Sequence, residues 1–177
     1  MTQPPSSQPD KNDHTPPINP EIQSEAIQLL TSFKTLQLAT LNPEGYPEAS
    51  YTPFIKDEGT FYIFISELAS HTRNLHYHPH TSIFFIQDER DSKNLFARIR
   101  LSISANCEFI SNNDEHWAVI MEKFKLIHGP TIEVLMGLPD FNLVALTPTK
   151  ATFVKGFGKA FRLNPQDLTP IEIITGK

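Results

Sequence analysis

The segment from Thr60 to Ser104 holds the side chains of this sequence best suited to chemistry. Phe96-Ala97-Arg98-Ile99-Arg100-Leu101 alternates in the manner of a strand, and a period of two places the Arg98 and Arg100 guanidiniums on one face. Just upstream, Ser66, Ser70, Thr72, Arg73 and Asn74 gather where an apolar strand gives way to a helix. Free N–H groups at a helix start, together with hydroxyls and a guanidinium, suit a phosphate or a carboxylate. The two groups of residues point to a site for an anionic small molecule. Plainer roles stand beside that one: a surface helix with a solvated Arg73, and arginines paired with Asp88, Glu89 or Asp91.

His71, His76, His78 and His80 are dense, but their spacing around Pro79 does not put three on one helical face. Structural or exposed roles are expected for them. His128 stands beside Gly129 at a helix end, where the helix dipole favours a cation. The single Cys107 excludes an intrachain disulfide and the cysteine-rich zinc frames, and its strand-like surroundings predict an inert small hydrophobe. No glycine-rich nucleotide loop, HExxH or GxSxG pattern occurs.

The elements that must position these residues follow from periodicity. Residues 1–20 are rich in Pro, Ser, Gln, Asn and Asp and are expected to be disordered, leaving 21–177 as one domain. Asn19 is placed to cap a helix with Pro20 in its first turn, and Ile22, Ala26, Leu29, Leu30 and Phe33 recur at helical spacing. Thr35–Leu41, Pro47–Ile55 and Thr60–Ile65 read as an antiparallel meander joined at Asn42-Pro43-Glu44-Gly45 and Lys56-Asp57-Glu58-Gly59. A short helix from Ser70 or His71 to Tyr77 precedes a strand at Thr81–Ile86 and a long one at Leu95–Ile110. Asn113 or Asp114 caps a helix through Phe124, and a second short helix covers Thr131–Met136. Strands are expected at Phe141–Leu146 and Ala151–Val154, separated by a turn at Pro148, with Gly156–Phe161 as a flexible or bulged extension.

The chain has 177 residues, 39% of them hydrophobic, with thirteen Phe against one Trp, enough for a phenylalanine-rich β core. A net charge of −5 and a pI near 5.8 argue against nucleic acid as a partner. No apolar run reaches the ~20 residues a membrane span needs, and no secretory signal is visible, so a cytoplasmic location is expected. Six or seven short strands with a few helices predict a mainly β (α+β) fold, a small barrel with flanking helices.

Several blocks in this order resemble the pyridoxamine 5'-phosphate oxidase-like, FMN-binding split barrels, and within them the HugZ/HutZ-type haem-utilisation proteins. They are Thr35–Thr40, Ala49–Phe54, Ser66 with Ser70–Leu75, Asn94–Leu101, Leu138–Phe141 and Phe153–Phe161. The resemblance spans most of residues 22–163. It implies a six-stranded split β-barrel, a homodimer, and a ligand site at the subunit interface. It implies FMN phosphate contacts at Ser66, Ser70, Thr72 and Arg73, with Asn74 in the same turn. Alternatively it implies haem near Arg98 and Arg100, with Asp140 supporting an iron-ligating histidine close to the C-terminus. Leu168–Lys177 contains no histidine, so the family ligand has no counterpart there. Three functions follow: a haem-binding protein with oxygenase-like chemistry, an FMN-dependent oxidoreductase, and a split-barrel binding protein without catalysis.

Overall fold

Strict alternation of side chains in β1 (Thr35–Leu41) buries Leu36, Leu38 and Thr40 and leaves the intervening residues exposed, so one face of this strand must be an interior. The computed structural model describes residues 19–174. In it β1 pairs antiparallel with β2 (Pro47–Asp57), and β2 pairs with β3 (Thr60–Ser66), as the meander required. The β2–β3 turn consists of Glu58 and Gly59, both at positive φ, the geometry that suits the twist of a two-residue hairpin. A Cβ on Gly59 would meet Gln166 at 3.1 Å, so the glycine also admits a close neighbour.

The chain then forms α2 (Ser70–Tyr77), β4 (His80–Ile86), β5 (Arg100–Ile110), α3 (Glu115–His128), α4 (Thr131–Met136) and β6 (Phe141–Val154). The strands run in the order β3-β2-β1-β4-β5-β6, and β6 returns to pair with β3. Six antiparallel strands therefore close into a barrel, the predicted architecture. Two further strands, β7 (Ala160–Leu163) and β8 (Pro170–Ile174), extend the sheet beyond β6. The sequence reading gave neither as a strand. Ahead of the barrel, α1 (Pro20–Thr31) is capped by Asn19, whose Oδ1 accepts from the Glu21 amide at 2.9 Å. It presses Ile22, Ala26 and Leu30 onto the barrel core. Of the tail expected over 1–20, residues 1–18 lie outside the described residues, whereas Asn19 caps α1 and Pro20 begins it, because the cap and the fixed φ of proline start the helix there.

Four phenyl rings organise that core. Phe85 lies 5.9, 5.4 and 6.2 Å from Phe33, Phe54 and Phe61, ring centre to ring centre. Strand β3 is buried on both faces because its second face, with Tyr62 and Phe64, lies under Ile120, Met121 and Phe124 of α3 and Ile132 of α4. No described helix is long and apolar enough to cross a membrane.

Three local expectations change. The expected long strand begins at Arg100, not Leu95, because Asn94 captures the Phe96 amide (3.0 Å) and Leu95–Ala97 coils into a 3-10 turn. The two strands expected around Pro148 are one strand of fourteen residues. Thr149 bulges out between Ala105↔Pro148 and Ser104↔Lys150, and a bulge is a place where a strand tolerates a residue with no N–H to give. Gly156–Gly158 is the tight turn of the β6–β7 hairpin, closed by Lys155 N donating to Lys159 O at 2.8 Å.

Truncating the central ring should be severe. Phe85→Ala removes a fully buried side chain at the meeting point of three others, and a loss of about 3–5 kcal/mol is expected. Urea denaturation should show a lower midpoint with an unchanged slope.

Candidate functional site

The turn after β3 is built by its own side chains. Ser66 Oγ accepts from the Leu68 amide (3.1 Å) and donates to Asp140 Oδ2 (2.5 Å). Thr72, fully buried, donates its hydroxyl to Ser66 O at 2.6 Å. Asn74 is also buried, and its amide donates to Thr40 Oγ1 and Glu48 Oε2, both at 3.0 Å, tying α2 to β1 and β2. Of the five residues expected to hold a cofactor at this turn, these three are engaged within the protein and hold the junction together. Ser70 and Arg73 remain exposed at the start of α2, where Ala69 provides no side-chain cap. They line a cavity of about 300 Å³ whose wall includes Glu44 and Glu48, two carboxylates unfavourable to a phosphate.

Asp140 stands just before β6. Its carbonyl accepts from the Glu67 amide at 2.8 Å, carrying the β3–β6 pairing one step past Ser66↔Phe141. Glu67 Oε1 accepts from Asn142 (2.7 Å) and bonds His76 Nε2 (3.2 Å), and the His76 ring stacks on Phe109 at 3.9 Å. Sequence reasoning missed Glu67, Asn142 and His76 in this polar cluster. Only the register between β3 and β6 unites them, and that register joins segments more than seventy residues apart.

The two arginines do not share a strand face. Arg98 precedes β5, and its guanidinium donates to Gln87 O from Nε (2.9 Å) and from one terminal nitrogen (2.5 Å). It also pairs with Glu89 at 3.2 Å and is only 19% exposed, so it fastens the 88–98 loop to the end of β4. Arg100 opens β5. Leu101, Ile103 and Ala105 point into the barrel, so Arg100, Ser102 and Ser104 lie on its outer face. Its guanidinium donates to Arg98 O (3.2 Å) and pairs with no carboxylate among the described residues. Arg100 pairs with Val154 at the far end of β6, thirteen residues from Phe141. That is about 40 Å of strand at ~3.3 Å per residue. Within one chain, Arg100 and Asp140 sit at opposite ends of the longest strand.

The remaining candidates are accounted for locally. His71 Nδ1 bonds Ser50 Oγ at 3.1 Å, and burial holds its imidazole below the usual histidine range. His80 bonds Asn106, His116 bonds the Tyr62 hydroxyl, and His128 bonds Phe54 O at 2.9 Å in addition to standing at the end of α3. Burial pushes the Cys107 thiol up, away from the thiolate a nucleophile needs. Among the described residues no three His, Cys, Asp or Glu side chains are placed to hold a bare metal ion. Lys177, where a terminal ligand was sought, lies outside the described residues. Of these groups Arg100, with no carboxylate partner among the described residues, is the cation that suits an anionic group, whereas Asp140, with one oxygen fixed by Ser66, can only accept from a donor.

Residues 22–155 match the family model for pyridoxamine 5'-phosphate oxidase. The chain is 40% identical over 147 residues to the haem oxygenase HutZ of Vibrio cholerae, covering 83% of this chain and 84% of that protein. A crystal structure of HutZ from Vibrio cholerae, described as a haem storage protein, superimposes with a TM-score of 0.71 at 38% identity, over 77% of this chain and 96% of that one. Campylobacter jejuni ChuZ gives a TM-score of 0.76 at 30% identity, over 90% of this chain and 65% of that one. The closed six-stranded barrel, the order of its strands and these likenesses agree: the chain belongs to the pyridoxamine 5'-phosphate oxidase family of split barrels.

Proposed function

We propose that this chain is a haem-binding protein of the HutZ kind, active in the cytoplasm as a symmetric pair of barrels with the ligand held between them. The observation that carries the reading is Arg100, a guanidinium with no carboxylate partner among the described residues, in a chain 40% identical to a haem oxygenase. Arg100 would take a propionate, and Arg98 would hold the loop beside it in place. Asp140, with Oδ2 occupied by Ser66, keeps its second oxygen to orient a polar donor at the ligand. When bound, haem iron supplies dioxygen activation, with the macrocycle itself as the group attacked.

The length of β6 supports the pairing. Arg100 and Asp140 cannot meet within one barrel, but a two-fold axis can bring Arg100 of one copy to Asp140 of the other. A suitable surface exists on the outer face of β1 and β2, where Ala39 stands opposite Ala49 and Gln37 opposite Tyr51, which is 71% exposed. Small side chains in the centre of a sheet face let a second sheet approach closely.

A second reading, FMN binding, rests on the exposed Ser70 and Arg73 beside the uncapped start of α2. Titration separates the two. Hemin added to the purified protein should give a sharp Soret band with a defined stoichiometry, and Arg100→Ala should weaken binding by about 10- to 100-fold through loss of a charge-assisted contact. Release of FMN on denaturation with no response to hemin would instead select the flavin reading. Failure to bind either ligand would leave a binding protein of another kind.

The pairing has its own test. Ala39→Arg places a charge at the centre of the outer sheet face without touching the core. It should convert a dimer to a monomer in sedimentation analysis while leaving the circular dichroism spectrum intact. A wild-type monomer at working concentration would refute the shared site.

A further inference from the structure

The Gly-Phe-Gly sequence at 156–158 has no part in the barrel, yet the chain builds it with care. Gly156 and Gly158 both stand at positive φ, 77° and 66°, where a side chain would be strained. Phe157 therefore sits at the apex of the β6–β7 turn with its ring 67% exposed. The loop before β5 presents a second such ring. Phe96 is 87% exposed, on a 3-10 turn capped by Asn94 and secured behind by the Arg98 contacts to Gln87. Both turns leave the same end of the β5–β6 ladder, immediately beyond the pair Arg100↔Val154. Two phenyl rings exposed on constrained turns at one place lose hydration free energy unless something covers them.

Charge narrows what that is. Around these turns Arg98 is paired with Glu89, and Lys155 with Glu25. Lys93 makes no ion pair among the described residues and stands two residues from Asp91. Arg100 and Lys159 likewise make no ion pair among the described residues, although Lys159 lines a cavity of about 400 Å³ with Glu21 and Glu172, the latter paired with Arg162. The surface thus joins two exposed aromatic rings to two cations, Arg100 and Lys159, that are in no ion pair among the described residues.

We propose that Phe96 and Phe157 form an aromatic clamp for the apolar face of a planar dianion, with Arg100 and Lys159 taking its two carboxylates. The inference rests on the haem reading and deepens it: it assigns the contacts that select a dicarboxylate macrocycle over a smaller anion. Neither phenyl ring is part of the core, so their removal tests binding and not folding.

The experiment compares hemin titrations of the full chain, Phe96→Ala, Phe157→Ala and the double variant, with Phe157→Trp as the conservative replacement. Each alanine should weaken hemin binding by about tenfold, and the double variant by more, because a phenyl face is lost each time. The thermal midpoint should stay within a degree or so of the wild type, and Phe157→Trp should keep near-wild-type affinity. Hemin affinity in the double variant within twofold of the wild type would overturn the clamp while the haem reading stands. Absence of hemin binding by the wild type would sink both. Vesicles of phosphatidylglycerol and phosphatidylcholine provide the remaining arm. If the double variant loses vesicle binding and keeps hemin binding, the rings serve an anionic membrane surface and the proposal is wrong.

Discussion

Strand β6 bears on nearly everything else in this molecule. Its first half closes the barrel by pairing with β3, Leu143 to Val154 pair with β5, and its second half carries the β7–β8 extension. A strand used three times over must be long, and its length separates the chemistry at its two ends. Ser66, Glu67 and Asp140 gather where it begins; Arg100 and the two exposed phenyl turns gather where it finishes. The bulge at Thr149 keeps these halves in one hydrogen-bonded ladder despite Pro148. On the proposed reading, a site that draws on both ends is assembled from two molecules.

Much of the architecture was legible because alternation and capping are local. Leu36, Leu38 and Thr40 announced an interior face, Asn19 and Pro20 announced the start of α1, and Asp114 the start of α3. The misreadings have a common cause, which is that a local signal has more than one structural solution. Pro148 reads as a turn in isolation, yet a bulge gives it a place inside a strand. Phe96 to Leu101 alternates like a strand, yet a single Asn94 hydrogen bond turns the first half of that run into a 3-10 coil. The final strands, β7 and β8, have little core of their own to advertise them.

The candidate site was legible in its residue types and less so in their roles. Hydroxyls at a strand-to-helix junction look like an anion cradle in sequence. The fold spends Ser66, Thr72 and Asn74 on the junction itself, because buried polar groups must find partners, and Ser66 O, Asp140, Thr40 and Glu48 supply them. Arg98 is likewise consumed by Gln87 and Glu89. Subtracting these satisfied groups leaves Ser70, Arg73, Arg100 and one oxygen of Asp140 as the candidate groups with capacity to spare. None of this accounting is possible before the pairing of β3 with β6 and of β5 with β6 is known.

The claim that one ligand site draws on two chains is tested most directly by complementation. Arg100→Ala and Asp140→Ala are prepared separately, each expected to bind hemin weakly, then unfolded, mixed and refolded together. Half of the randomly formed pairs would hold one copy of each variant, with both substitutions in one cleft and neither in the other. Hemin sites should therefore return to about a quarter of the wild-type number at wild-type affinity. No recovery in the mixture, with refolded dimers present, would place Arg100 and Asp140 on a site within one chain and contradict the account.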